Sequence, residues 1–168
     1  SRTWDLSRVG EHFPAFLGAI PEAQAHPYLA DLARFEWLLH DLFFAADRGE
    51  QAAFPADEQS LSDWKPTFSS TLRVFRSAWP IATLHQLDAE PQAGFSVTPE
   101  QAAYLVFRDL QGTVRFLPLT PAQADLQEAL LKGQSLGDAV ERVPALEAND
   151  ISALAATWTA NGLLRAEF

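Results

Sequence analysis

The chain has no cysteine and no methionine among its 168 residues. Without thiols there is no disulfide, no thiolate nucleophile and no Cys-based zinc or iron–sulfur site. A cysteine-free chain suits a reducing compartment, so a cytoplasmic location is expected. Without methionine, Ser1 is no natural translation start, and the full protein is expected to extend further N-terminally. Lysine is almost as scarce, with Lys65 and Lys132 alone. The 12 basic residues face 22 acidic ones, for a formal charge of −10. Nucleic-acid binding draws on a basic footprint that displaces counterions, and no Lys/Arg-rich run occurs. Arg73, Arg76, Arg108 and Arg115 remain as a candidate local patch. No apolar run approaches the ~20 residues of a membrane span, and no secretory signal opens the chain. The eight glycines are scattered, with neither a G-x-G-x-x-G fingerprint nor a P-loop.

Apolar and aromatic residues are plentiful, and a chain of this size buries roughly 70% of its unfolded surface. Val9, Phe13, Phe16, Leu17 and Ile20 predict a helix over Leu6–Ile20, kinked or started late by Pro14. Pro21–His26 reads as a loop. Pro27 then opens a second helix, to about Ala46, whose first turn tolerates its missing N–H. Leu29, Leu32, Phe35, Leu39 and Phe43 form its stripe, broadened by Ala33, Trp37 and Leu38. Asp31, Arg34 and Glu36 sit among these apolar residues without being needed for the fold. Arg48–Pro66 is polar and reads as a linker with one helical turn near Asp57–Trp64.

The second half alternates element types. Thr67–Phe75 is strand-like, Pro80–Leu87 a short helix and Gln92–Gln101 a loop. Ala103–Leu110 and Thr113–Leu119 flank Gln111-Gly112, a hairpin signal. Thr120-Pro121-Ala122-Gln123 is a capping box with Pro in the first turn, and its helix stops at Gly133. Ser135 starts a short helix, Asn149 caps another over Asp150–Ala160, and Leu163–Phe168 returns as a strand. The expected fold class is α+β: an N-terminal helical pair, then a winged-helix-like domain with a small antiparallel sheet. The expected division is 1–50 helical, 51–66 linker and 67–168 α+β domain.

Few constellations carry chemistry. Glu36 and His40 share a helix face and a chelating spacing, with Asp41 about a quarter-turn away. A simple hydrogen-bonded pair is the competing reading, and no metal site is assigned. His12, His26 and His85 share no ligand spacing. There is no G-x-S-x-G, and Ser69, Ser70 and Thr71 lie in an expected strand, so no catalytic residue is assigned. Recognition remains. As an edge strand, Tyr104-Leu105-Val106-Phe107-Arg108 would accept a peptide by strand addition. As an ordinary hairpin strand, its edge would simply be blunted by charge. Trp37, Trp64, Trp79 and Trp158 belong mostly to a core, although Trp and Arg are also enriched as interface anchors.

The run Pro27-Tyr28-Leu29-Ala30-Asp31-Leu32-Ala33-Arg34-Phe35-Glu36-Trp37, preceded by Phe13-Pro14-Ala15-Phe16-Leu17, resembles the HvfC/BufC-type partner proteins of multinuclear non-haem iron oxidases. The N-terminal region of that family was formerly labelled a DNA-binding domain. The likeness continues, collinear but weaker, through Leu72–Phe75, Trp79-Pro80-Ile81, Tyr104–Arg108 and Leu131–Ala139. A shorter relative in that group, the partner protein of methanobactin biosynthesis, resembles this layout better than the longer members do. The resemblance implies a non-catalytic subunit, with no cofactor of its own. It would bind the leader of a Cys-containing, ribosomally made peptide and a TIM-barrel iron oxidase that modifies the cysteines. Tyr104, Val106, Phe107 and Arg108 become the expected peptide contacts, and Asp31, Arg34, Glu36 and Trp79 the expected partner interface. The alternative is a winged-helix DNA-binding regulator.

Overall fold

A computed structural model describes residues 10–47, 49–55, 57–87 and 95–166. The elements run α1 (Phe13–Ala19), α2 (Pro21–Gln24), α3 (Tyr28–Phe44), α4 (Glu58–Asp63), β1 (Thr67–Phe68), β2 (Arg73–Ser77), α5 (Ile81–His85), β3 (Ala102–Arg108), β4 (Val114–Leu119), α6 (Pro121–Leu131), α7 (Leu136–Glu141), α8 (Ala148–Ala160) and β5 (Leu164–Arg165). The protein is of mixed helix and sheet with small antiparallel pairings, β1 with β5 and β3 with β4. Contacts divide it into two units. One joins residues 1–41 with 76–102, and the other joins 42–75 with 103–168. Each is therefore discontinuous in sequence, unlike the linear division 1–50, 51–66 and 67–168.

In the first unit, α1 starts late, with Pro14 in its first turn. The expected helical stretch 6–9 lies outside the described residues. Within α1 itself no residue is buried; Phe13 and Phe16 stack at 6.3 Å yet stay exposed. The stretch expected as a loop carries α2, because Ile20 is extended and Pro21 fits a first helical turn. Along α3, whose end from Leu42 onward is counted with the second unit, the deepest positions are Tyr28, Phe35 and Leu42, seven apart and so on one face. Phe43, expected in that stripe, is 60% exposed.

The second unit holds a core of Leu72, Leu105, Phe107, Leu126, Leu130, Leu154, Trp158 and Leu163. Each fully buried side chain of this size contributes about 1.5–3 kcal/mol of transfer free energy. Trp158 is ringed by Phe54 at 5.9 Å and Phe68 at 5.2 Å. The stretch expected as a linker is part of this core, since Ala52, Phe54 and Trp64 pack on it. Its helical turn is α4, whose first turn is capped by the Asp57 carboxylate accepting from the Ser60 N–H at 2.7 Å.

Two further expectations about elements are corrected. Thr67–Phe75 is not one strand. The Ser69 hydroxyl accepts from the Thr71 N–H at 3.1 Å and shares a hydrogen bond with Thr71 Oγ1 at 2.7 Å. That local turn breaks the run into β1 and β2, which lie in different sheets. Asn149 is not the cap of α8. The helix starts a residue before it, and Asp150 Oδ2 accepts from the Glu147 N–H at 3.0 Å. The capping box and the stop of α6 act as expected. Thr120 and Gln123 bond reciprocally at 3.1 and 3.0 Å. Gly133 takes a positive φ of 81° after α6. The final strand is β5, with residues 167 and 168 outside the described set. The same holds for residues 92–94 of the expected loop, whose described remainder from 95 has no regular structure.

Candidate functional site

The hairpin β3–β4 is built on one aspartate. Asp109 Oδ1 accepts the N–H groups of Gln111 and Thr113, both at 2.9 Å. Its other oxygen accepts from Nε of Arg115. Gly112, at φ 82°, supplies the left-handed residue that closes the turn. Arg115 holds the Asp109 carboxyl below the usual aspartate range; burial opposes this, and the N–H bonds from Thr113 and Gln111 assist it.

The turn also fixes which backbone groups face outward. Asp109 N–H donates to the Thr113 carbonyl at 2.9 Å, so that pair is hydrogen-bonded. Antiparallel pairs alternate. Given the register, Phe107/Arg115, Leu105/Leu117 and Ala103/Leu119 are then bonded pairs, while Arg108/Val114, Val106/Phe116 and Tyr104/Pro118 are not. Pro118, which has no N–H, thus sits where none is needed by β3. The backbone groups of Val114, Phe116 and Pro118 are directed away from β3.

This geometry corrects the expected site. The sheet order is β2-β3-β4, so β3 is the central strand and has no edge to offer. On its other side the Arg108 N–H donates to Thr71 Oγ1 at 3.4 Å. Val106 and Phe107 are fully buried and Tyr104 nearly so. Phe107 lies in the core of the second unit. Arg108 is half-buried and donates to the Phe43 carbonyl at 3.1 Å. The four residues share one strand but not one face: Phe107 points opposite to Tyr104, Val106 and Arg108.

The outer strand is β4. Beside it lies a groove of about 220 Å³, lined by Leu105, Leu117, Leu119, Gln123, Ala153 and Thr157 among others. Leu117 is 39% exposed at its wall. Ala153 and Thr157 stand four apart on α8, and Thr157 Oγ1 returns its hydrogen bond to the Ala153 carbonyl at 2.9 Å. A strand edge next to an apolar slot is suited to an extended chain: the backbone gives affinity and the slot selects a side chain. The sequence alone did not reveal the groove, because its walls come from separate segments around 105, 117–123 and 153–157.

The charged face of α3 forms a separate cluster in the first unit. Asp31 pairs with Arg34 at 3.0 Å and accepts from the Ser77 hydroxyl at 2.6 Å. Ser77 Oγ in turn accepts from the Trp79 N–H at 3.1 Å. Arg34 reaches the Arg76 carbonyl at 3.3 Å. Glu36 meets His85 Nδ1 at 3.5 Å, while His40 stacks on Trp37 at 4.9 Å. The partner of Glu36 is therefore a histidine from α5, not His40. Asp31, Arg34 and Trp79 are joined through Ser77 and the strand residue Arg76, so these residues tie α3 to the segment 76–79. Tyr28 adds an edge-to-face contact with Trp79 at 6.1 Å. A Ser two residues before Trp79 was the available sign of this turn.

Among the described residues no group of three or more His, Asp or Glu is placed to hold a metal. Among them, too, no helix is long and apolar enough to cross a membrane. No protein-family model matches the chain, and no curated protein is significantly similar to it.

Proposed function

We propose that the chain is a non-catalytic partner subunit that binds the leader of a ribosomally made, Cys-containing precursor peptide. In this reading it works beside a cytoplasmic multinuclear non-haem iron oxidase of TIM-barrel fold. The iron and the cysteine chemistry belong to that enzyme, and this chain supplies no cofactor. The second unit is read as winged-helix-like, with β3–β4 as the wing and α6, α7 and α8 as its helices. The observation that carries the reading is the outer strand β4 lying along the groove between Leu117 and Ala153. The collinear family-like motifs from Phe13 to Ala139 support it. Peptide contact is assigned to β4 and that groove in place of an edge at Tyr104–Arg108. The exposed sides of Arg34 and Glu36, 52% and 56% accessible, are assigned to the oxidase.

The test is co-expression with a multinuclear non-haem iron oxidase of TIM-barrel fold, followed by co-purification and titration of labelled leader peptide. A stable complex that binds leader in the micromolar range or tighter is expected. A chain that stays alone beside the oxidase and ignores the leader overturns the proposal. Duplex DNA at low salt is the control. Binding that weakens steeply with salt would establish the regulator alternative instead. The acidic balance opposes that outcome, as do the acid partners of Arg34, Arg115 and Arg165.

A further inference from the structure

We draw no further inference here: the strongest candidate, the cavity of about 540 Å³ lined by Asp63, Trp64, Lys65, Thr67 and Arg165, carries nothing because the terminal nitrogens of Arg165 are already engaged by Asp47 and the carbonyls of Gly162 and Leu164 and nothing in the structure names a ligand.

Discussion

The indole N–H of Trp158 donates to Oε1 of Gln127 at 2.7 Å, and both side chains are fully buried. An indole of this size is useful to a core only if its one polar atom has a partner. Gln127 provides it from α6, so a glutamine is held where leucine would otherwise be expected.

Replacing Gln127 by Leu keeps the volume and removes the acceptor. The stranded indole N–H then costs about 1–3 kcal/mol, offset in part because the Gln127 Nε2, buried without a partner, is removed with it. Urea unfolding should show this as a lower midpoint with an unchanged slope. Trp158→Phe removes the donor and also some packing. The double variant Gln127→Leu/Trp158→Phe should lose less than the sum of the two singles. Strict additivity would show that the bond contributes nothing.

A second prediction concerns backbone proximity. A Cβ on Gly137 would clash with Ser62 Oγ and stand 2.9 Å from the Ser62 carbonyl oxygen. Helix α7 approaches α4 at this point, with the Leu136 N–H donating to the Trp64 carbonyl at 2.8 Å. Gly137→Ala should therefore destabilise by about 1–3 kcal/mol, the usual cost of overpacking, although alanine is the better helix former. Ser62→Ala in the same chain should restore only part of the loss, because the carbonyl remains. Thermal unfolding of the parent and the two variants measures this.

These two sites show what was legible and what was not. Capping at Thr120 is written in four consecutive residues and needs no tertiary knowledge, so it was readable. The hairpin was readable for the same reason, since Asp109 and Gly112 act within their own turn. Gln127 and Gly137 are explained only by partners more than thirty residues away. The status of β3 failed likewise. A strand becomes central when another joins it, and β2 is separated from it by α5 and a long connection. Thr67–Phe75 misled in the opposite way. Its composition favours a strand throughout, yet two hydroxyl groups bend it locally. The charges on α3 raised the right question, and the answer lay with Ser77, whose place two residues before Trp79 was its one sign, and with His85, which had none.

The third prediction follows from Asp109. Its carboxyl titrates below the usual range because Arg115 stabilises the charged form. A carboxylate depressed in the folded state contributes stability in full above its unfolded value, near 3.9. That contribution is lost as pH falls through the lower folded value. Asp109→Asn removes the titration while keeping the shape. The variant should be less stable than the parent at neutral pH, and the difference should shrink as pH drops below about 4. Unfolding curves between neutral and acid pH test it. A constant difference across that range would show that Asp109 does not act through its charge.

The last prediction separates binding from folding. Phe107 was an expected peptide contact, but it is fully buried, and Phe107→Ala should cost about 3–5 kcal/mol by leaving a cavity. Any loss of peptide binding there would only report unfolding. Leu117 is the better probe, because it is 39% exposed at the groove and lies on the outer strand. Leu117→Asp places a charge where an apolar ligand side chain would sit. It should weaken leader binding about tenfold or more, equivalent to about 1.4 kcal/mol, with little change in melting temperature. Ala153→Phe fills the same groove from α8 and should have the same effect without adding charge. Calorimetric titration of both variants with leader peptide decides the matter. If both bind as the parent does while remaining folded, the peptide does not use this groove.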